Sequence, residues 1–251
     1  MSASEVNNSI DINEIKKFSE MADEWWNPVG KFKILHKFNP VRIKYIVEQI
    51  LQITGKNSIK GITILDIGCG GGLVAEAIAK LGAKVTAIDP TEKNIMVAKS
   101  HQLKSKSTVE YVNTTIEQLQ ETRKFDVVLC LEVIEHVSNP KAFLDRVSNF
   151  IKPDGILYVA TISRTIKSLL LAKFSAEYIL NWVPKGTHHW KKFLKPSEIN
   201  NFLSINDKDG HKQTKNKFIL HDIRGFKYNI LNNNWVTTKN LDQNYIMCYK
   251  A

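Results

Sequence analysis

The feature that most constrains this chain is an alternation between residues 62 and 162. Short apolar runs at 62–67, 84–89, 109–112, 125–131 and 156–162 are separated by stretches with helical spacing at 73–81, 92–103 and 140–151. Runs of this length read as strands, and the run at 125–131 is apolar throughout, as in a strand covered on both faces. A β-α-β-α order implies an open, mostly parallel sheet with right-handed crossovers. Such sheets bind ligands beyond the carboxyl ends of their strands. The turn Lys152-Pro153-Asp154-Gly155 precedes the last of the five strands.

The flanks are of a different kind. Residues 12–52 read as helical in two parts, with Ile43, Ile46, Val47, Ile50 and Leu51 on one buried face. Between the parts lies the turn Trp25-Trp26-Asn27-Pro28-Val29-Gly30. Its tryptophans either pack the N-terminal helix onto the domain or line a ligand pocket. Residues 164–196 interrupt the alternation: 167–183 forms an apolar helix closed by Pro184, followed by the basic, aromatic stretch 185–192. Residues 218–250 read as two strands with a turn near 232–234. The simplest assembly is a single domain, 1–251. It divides into an N-terminal helical cap (1–52), a core (60–163), an insertion (164–196), and a C-terminal helix with strands (197–251).

Composition narrows the function classes. With 35 Lys+Arg against 25 Asp+Glu the chain carries a formal charge of +10, which suits nucleic acid, an anionic membrane surface or simple solubility. Its basic residues are mostly scattered lysines. A nucleic-acid reader clusters arginine beside stacking aromatics, so that partner is the least favoured. Cys69, Cys130 and Cys248 form no CxxC pair, which argues against a disulfide framework or a cysteine zinc site. The opening residues lack the apolar stretch of a signal peptide and carry acids without arginine, so a cytoplasmic location is expected.

Two segments carry chemistry. Asp66-Ile67-Gly68-Cys69-Gly70-Gly71-Gly72 lies where the first strand turns into a helix. Its glycines let the backbone approach a ligand, and the helix presents free N–H groups to it. The loop departs from the dinucleotide pattern GxGxxG at Leu73. Asp89 ends the second strand, where an acid can grip both hydroxyls of a ribose, and Asp66 is placed to hold an ammonium. An ammonium plus a ribose, with no phosphate demanded, describes S-adenosylmethionine better than a nicotinamide dinucleotide. The second segment, Glu132-Val133-Ile134-Glu135-His136, follows the fourth strand. If it is helical, Glu132 and His136 share a face with Glu135 beside them. Two carboxylates and an imidazole there suit a partial Mg²⁺ shell, or His136 serves as a general base. The bland alternative is a helix start with acids at its dipole and a hydrogen-bonded histidine.

These residues bring a family into view. Residues 66–72 look like motif I of class I S-adenosylmethionine-dependent methyltransferases. Glu24-Trp25-Trp26-Asn27-Pro28, Phe32-Lys33-Ile34-Leu35-His36, Asn39-Pro40-Val41-Arg42, Glu132-Val133-Ile134-Glu135-His136-Val137, Ala176-Glu177-Tyr178-Ile179-Leu180 and Val183-Pro184-Lys185-Gly186-Thr187-His188 resemble the UbiG family, the O-methyltransferases of ubiquinone biosynthesis. The resemblance implies a Rossmann-like class I methyltransferase fold. Its mostly parallel, seven-stranded sheet would be flanked by helices, with N-terminal helices and an inserted helix after strand five. It implies O-methylation of a 2-polyprenyl-6-hydroxyphenol and of 3-demethylubiquinol. Another small phenol or, more remotely, nucleic acid is the alternative acceptor. It places Arg42 at the cofactor's methionine end, Gly68 and Gly70 in the cofactor loop, Asp89 on the ribose and Leu131 along the cofactor pocket. It makes Glu132, Glu135 and His136 ligands of Mg²⁺, with His136 and Glu132 the catalytic pair. Because the polyprenyl substrate lives in a bilayer, the helix 167–183 with Trp182, Trp190, Lys173, Lys185, Lys191 and Lys192 is expected to contact an anionic membrane surface, the inner face of the cell membrane. Other ubiquinone-biosynthesis enzymes are candidate partners.

Overall fold

The computed structural model describes residues 12–120, 122–165, 168, 192–204, 218–229 and 234–251. The helices are α1 (Ile12–Met21), α2 (Lys33–Thr54), α3 (Leu73–Lys80), α4 (Glu92–Ser105), α5 (Pro140–Ser148) and α6 (Pro196–Leu203). The strands are β1 (Thr63–Ile67), β2 (Lys84–Asp89), β3 (Glu110–Asn113), β4 (Phe125–Leu131), β5 (Ile151–Ile162), β6 (Ile219–Asn229), β7 (Asn234–Thr238) and β8 (Asn244–Lys250).

Among the described residues the strands form one eight-stranded sheet in the order β3-β2-β1-β4-β5-β8-β6-β7. From β3 to β5 every pairing is parallel; the pairings of β8 with β5 and β6, and of β6 with β7, are antiparallel. The expected α/β class holds, with one strand more than the expected seven. The C-terminal segment holds three strands, β6, β7 and β8, where two were expected. Between the last two lies an Asx turn, in which the Asp242 N–H donates to Asn240 Oδ1 at 2.8 Å. Asn and Asp side chains close such turns locally, and this one separates β7 from β8.

Alternate residues of the strands face two cores. On one face Ile64, Val85, Ala87, Val127, Leu129 and Tyr158 pack against α2, α3 and α4. On the other, Leu65, Ile88, Val128, Leu157 and Met247 pack with residues of α5 and α6. The expected buried face of α2 is present: Ile43, Ile46 and Ile50 are buried, with Val47 and Leu51 packed against the same core. Helix α2 ends at Gly55, whose φ of 66° lets its N–H donate back to the Leu51 carbonyl at 2.9 Å.

The expected turn at 152–155 lies inside β5. Phe125 pairs with Ile151 and Val127 with Ile156, so two residues along β4 oppose five along β5. Asp154 takes φ 62° at this bulge. The insertion expected at 164–196, with its apolar helix and basic loop, lies mostly outside the described residues.

Candidate functional site

Strand order reverses at β1, whose neighbours are β2 and β4. The glycine loop leaves the carboxyl end of β1 and the segment 132–136 leaves that of β4. The two chemistry-bearing segments therefore meet at the crevice where open α/β sheets take ligands. They approach closely: a Cβ on Gly68 (φ 69°) would lie 2.5 Å from Val133 Cγ2.

The tryptophan turn clamps the loop from outside. Trp25 stacks on Phe32 with centroids 3.9 Å apart, and its ring lies against Gly70 and Gly71. Trp26 donates its indole N–H to the Gly71 carbonyl at 2.8 Å and stacks on His101 at 3.3 Å. Leu73, which breaks the dinucleotide pattern, is buried in the same cluster as Trp25 and Phe32. The tryptophans thus pack the N-terminal cap onto the domain, and they do so directly on the glycine loop.

Asp89 is buried at the end of β2. Its Oδ2 accepts from the Gly70 N–H at 2.9 Å, and its Oδ1 accepts from the Thr91 N–H at 2.8 Å and from Asn94 Nδ2 at 3.1 Å. Burial pushes its carboxyl above the ordinary range, although these donors pull the other way. Asp66 is also buried, and among the described residues its Oδ2 has no hydrogen-bond partner. Burial pushes Asp66 up to about 7, with Arg42 opposing and Asp89 adding.

Arg42, only 3% exposed, reaches this edge from α2. Its Nη2 donates to Asn39 Oδ1 at 2.6 Å and its Nη1 to Glu132 Oε1 at 3.3 Å, while its Nε has no partner among the described residues. Burial lowers the guanidinium's pKa against the opposing charges of Glu132, Asp66 and Glu135. One buried cation therefore sits among three acids. Leu131 is buried at the end of β4, in the core beside α2.

The segment 132–136 does not form a continuous helix. Glu132 takes φ 57°, and only Ile134–His136 turns, as a single 3₁₀ turn. Glu132 and His136 consequently share no helix face, and the three side chains take different partners. Glu132 accepts from Asn244 Nδ2 at 3.1 Å as well as from Arg42. Glu135 Oε2 accepts from the Thr161 hydroxyl at 2.8 Å; burial and the nearby Glu132 raise its pKa, against His136. His136 Nδ1 meets Glu14 Oε2 at 2.9 Å. Burial would lower the imidazole pKa, but the Glu14 hydrogen bond and the charges of Glu135, Glu14 and Glu132 outweigh it and raise it. Among the described residues no three His, Cys, Asp or Glu side chains form a group able to hold a metal. The expected Mg²⁺ triad of Glu132, Glu135 and His136 is not assembled in this arrangement.

The structure adds residues that sequence reasoning missed. Asn94 joins Trp25 to Asp89, and its place in the first turn after β2 was a usable signal. Tyr111 carries a buried hydroxyl without a partner among the described residues, on β3 beside the loop. Glu14 and Asn244 have no local signal, since each meets its partner across more than a hundred residues.

Comparison with known proteins places the fold and the family. Residues 65–159 match a methyltransferase domain family. A solved structure of a plantazolicin methyltransferase in complex with a triazolic desmethylPZN analogue and S-adenosylhomocysteine shares the fold, with TM-score 0.67 and 14% identity over 96% of this chain and 99% of that one. A ubiquinone biosynthesis O-methyltransferase of Pelagibacter ubique is 45% identical over 95% of this chain and 97% of its own length. One of Bartonella tribocorum is 43% identical over 98% of both. The chain belongs to the ubiquinone biosynthesis O-methyltransferase family.

Proposed function

We propose that this enzyme transfers a methyl group from S-adenosylmethionine to a phenolic oxygen of polyprenylated ubiquinone precursors, a 2-polyprenyl-6-hydroxyphenol and 3-demethylubiquinol. The observation that carries the reading is the cluster of Arg42 with Asp66, Glu132 and Glu135 at the carboxyl ends of β1 and β4. A single buried cation beside two buried acids, Asp66 and Glu135, and the half-buried Glu132 favours a cationic ligand. The unpartnered Oδ2 of Asp66 fits an ammonium, the unpartnered Nε of Arg42 fits a carboxylate, and the glycine loop with Asp89 fits the ribose. When bound, S-adenosylmethionine supplies a methyl group on a sulfonium, whose sulfur keeps the electron pair of the broken C–S bond as a neutral thioether.

The protein's part is to align the phenol and take its proton. A phenol is a weak nucleophile until deprotonated, and alignment opposite the leaving sulfur supplies much of the rate. His136 is the base in this reading. It accepts the phenolic proton as the O–C bond forms, and passes it to water afterwards. Mg²⁺ activation through Glu132, Glu135 and His136 was the other route. Among the described residues Glu132, Glu135 and His136 do not converge into a group able to hold a metal. No step is therefore assigned to it.

The polyprenyl tail requires the enzyme to work at a bilayer surface. Among the described residues no helix is long and apolar enough to cross a membrane, so contact is peripheral in this reading. The apolar and basic residues of 167–195 support it. Sedimentation with anionic and neutral vesicles tests this, and equal binding to both removes the electrostatic part. The activity is tested with methyl-labelled cofactor and a short-chain demethylubiquinol, with and without a chelator. Label in the quinol that persists in chelator and falls in His136→Gln is the expected result. Complete loss in chelator would restore the metal route.

A further inference from the structure

Arg42 is held by two neighbours on its own helix and by one distant acid. Phe38, Asn39 and Arg42 are all buried on α2, and the first two lie four and three residues before the arginine, on the same face. Asn39 Oδ1 accepts from Arg42 Nη2 at 2.6 Å, and Arg42 Cζ stands 4.8 Å over the Phe38 ring. That ring is fixed in turn, because Phe226 of β6 and Trp235 of β7 pack on it with centroids 4.9 Å away. Glu132 takes Nη1 at 3.3 Å. The Nε N–H has no acceptor among the described residues, although it is buried with the rest of the side chain.

Helix formation does not explain Asn39. Asparagine is a poor helix former because its side chain competes with the backbone for hydrogen bonds, and alanine or leucine would suit both the helix and the apolar core beside it. The desolvation of its amide is offset by one strong bond to a charged donor. That bond has a geometric consequence. A guanidinium is a flat fork whose five donors point in fixed directions. A bond at Nη2 and an aromatic ring beneath the plane therefore set both its rotation and its tilt, and so the direction of its Nε edge. Asparagine suits this task better than aspartate. Its amide oxygen accepts the bond without adding charge, so the cation keeps its attraction for an anionic ligand group. An aspartate would place a fourth acid beside Asp66, Glu132 and Glu135.

We propose that Asn39 is a positioning residue for cofactor binding: it sets the Arg42 guanidinium over the Phe38 ring so that the Nε edge receives the carboxylate of S-adenosylmethionine. The proposal rests on the reading that the unpartnered Arg42 Nε takes that carboxylate. It assigns Asn39 no contact with the cofactor, and Arg42 alone touches it.

The test measures two dissociation constants by calorimetry in the full-length enzyme. One probe is S-adenosylhomocysteine; the other is its decarboxylated form, which keeps the adenosine and the ammonium. In Asn39→Ala the Kd for S-adenosylhomocysteine is expected to rise about tenfold, as the loss of a hydrogen bond to a charged group implies. The Kd for the decarboxylated form should stay close to its native value. Alanine favours the helix, and retained binding of the decarboxylated form shows that the site is folded. In Arg42→Met the native preference for the carboxylate should disappear. Adding Asn39→Ala to Arg42→Met should change neither Kd further, because residues that act as one unit are not additive. If Asn39→Ala weakens both ligands equally, Asn39 only maintains the shape of the site and the proposal is overturned. It is also overturned if Asn39→Ala binds both ligands as the native enzyme does while Arg42→Met loses the preference; the reading of Arg42 then stands. If Arg42→Met keeps the native preference for the carboxylate, that reading fails and the proposal fails with it.

Discussion

The indole N–H of Trp25 donates to Asn94 Oδ1 at 2.9 Å, and the amide of Asn94 donates in turn to Asp89 Oδ1. A residue of the N-terminal cap is thereby tied to the acid that the proposed function places on the cofactor ribose. Trp25→Phe keeps the stack on Phe32 but strands the buried Asn94 acceptor. An unsatisfied buried acceptor costs about 1–3 kcal/mol. Urea unfolding should show a lower midpoint of that order, and cofactor affinity should fall because Asn94 no longer holds Asp89 in one orientation. The coupling is absent if both quantities match the native enzyme.

Gly70 tests the same clamp from the other side. Its φ is 55°, and an added Cβ would run into the Trp25 ring. Gly70→Ala therefore meets two penalties, a left-handed backbone and an overpacked contact, each about 1–3 kcal/mol. Combining it with Trp25→Ala removes the clash and leaves only the backbone penalty. The expected result is that Gly70→Ala lowers stability less in a Trp25→Ala background than in the native one. Equal losses in both backgrounds would mean that the ring yields without resistance.

What was legible in the sequence follows from the range of the interactions. β4 could be read because both its faces are covered, which leaves Phe125–Leu131 apolar along its length. The glycine loop could be read because backbone conformation is a local property, and Gly68, Gly70 and Gly72 all take positive φ. The segment 132–136 stayed open between helix and turn for the same local reason: Glu132 is not a residue type that announces φ 57°. A non-glycine residue held there costs about 1–3 kcal/mol, and the bonds from Arg42 and Asn244 hold it. Neither bond has a local signature. Asn244 reaches Glu132 only because β8 returns beside β5, and Glu14 reaches His136 only because α1 folds back over the sheet edge. The glycines of the loop were local and visible, while the side chains that bond Glu132 and His136 come from both ends of the chain.

Away from the site, Asp126 ties the start of β4 to its neighbours. Its Oδ2 accepts from the Thr63 N–H at 2.9 Å and the Thr63 hydroxyl at 2.6 Å, and its Oδ1 pairs with Lys152 Nζ at 2.8 Å. Burial would raise its pKa, but Lys152 and Thr63 outweigh it and hold the carboxyl below the ordinary range. A depressed folded-state pKa stabilises the protein above the ordinary carboxylate range, and that contribution is lost as pH falls through the lowered value. Because the pair is more than a third exposed, solvent screening limits it to at most about 1 kcal/mol. Asp126→Asn should therefore be less stable than the native enzyme at neutral pH, with the difference narrowing in acid. A difference that stays constant down to acid pH would show that the charge contributes nothing.

Asp66 carries the opposite sign. Burial pushes it up to about 7, with Arg42 opposing and Asp89 adding. A raised carboxyl holds its proton more tightly in the folded state than in the unfolded one. Its contribution to stability is thus fully present below the ordinary carboxylate pKa and is lost as pH rises through about 7. The proposed function reverses the balance on binding, because it pairs the ammonium of the zwitterionic S-adenosylhomocysteine with the ionised form of Asp66. Affinity for that ligand should rise with pH, approaching tenfold per unit below about 7 and levelling off above it. Calorimetry in buffers of different ionisation heat should also register proton release on binding near pH ~6. Asp66→Asn should bind weakly and lose the slope, while its ligand-free form should no longer lose stability across the same window. A native enzyme whose affinity is flat from about pH 5 to about pH 8 would remove Asp66 from the ammonium site.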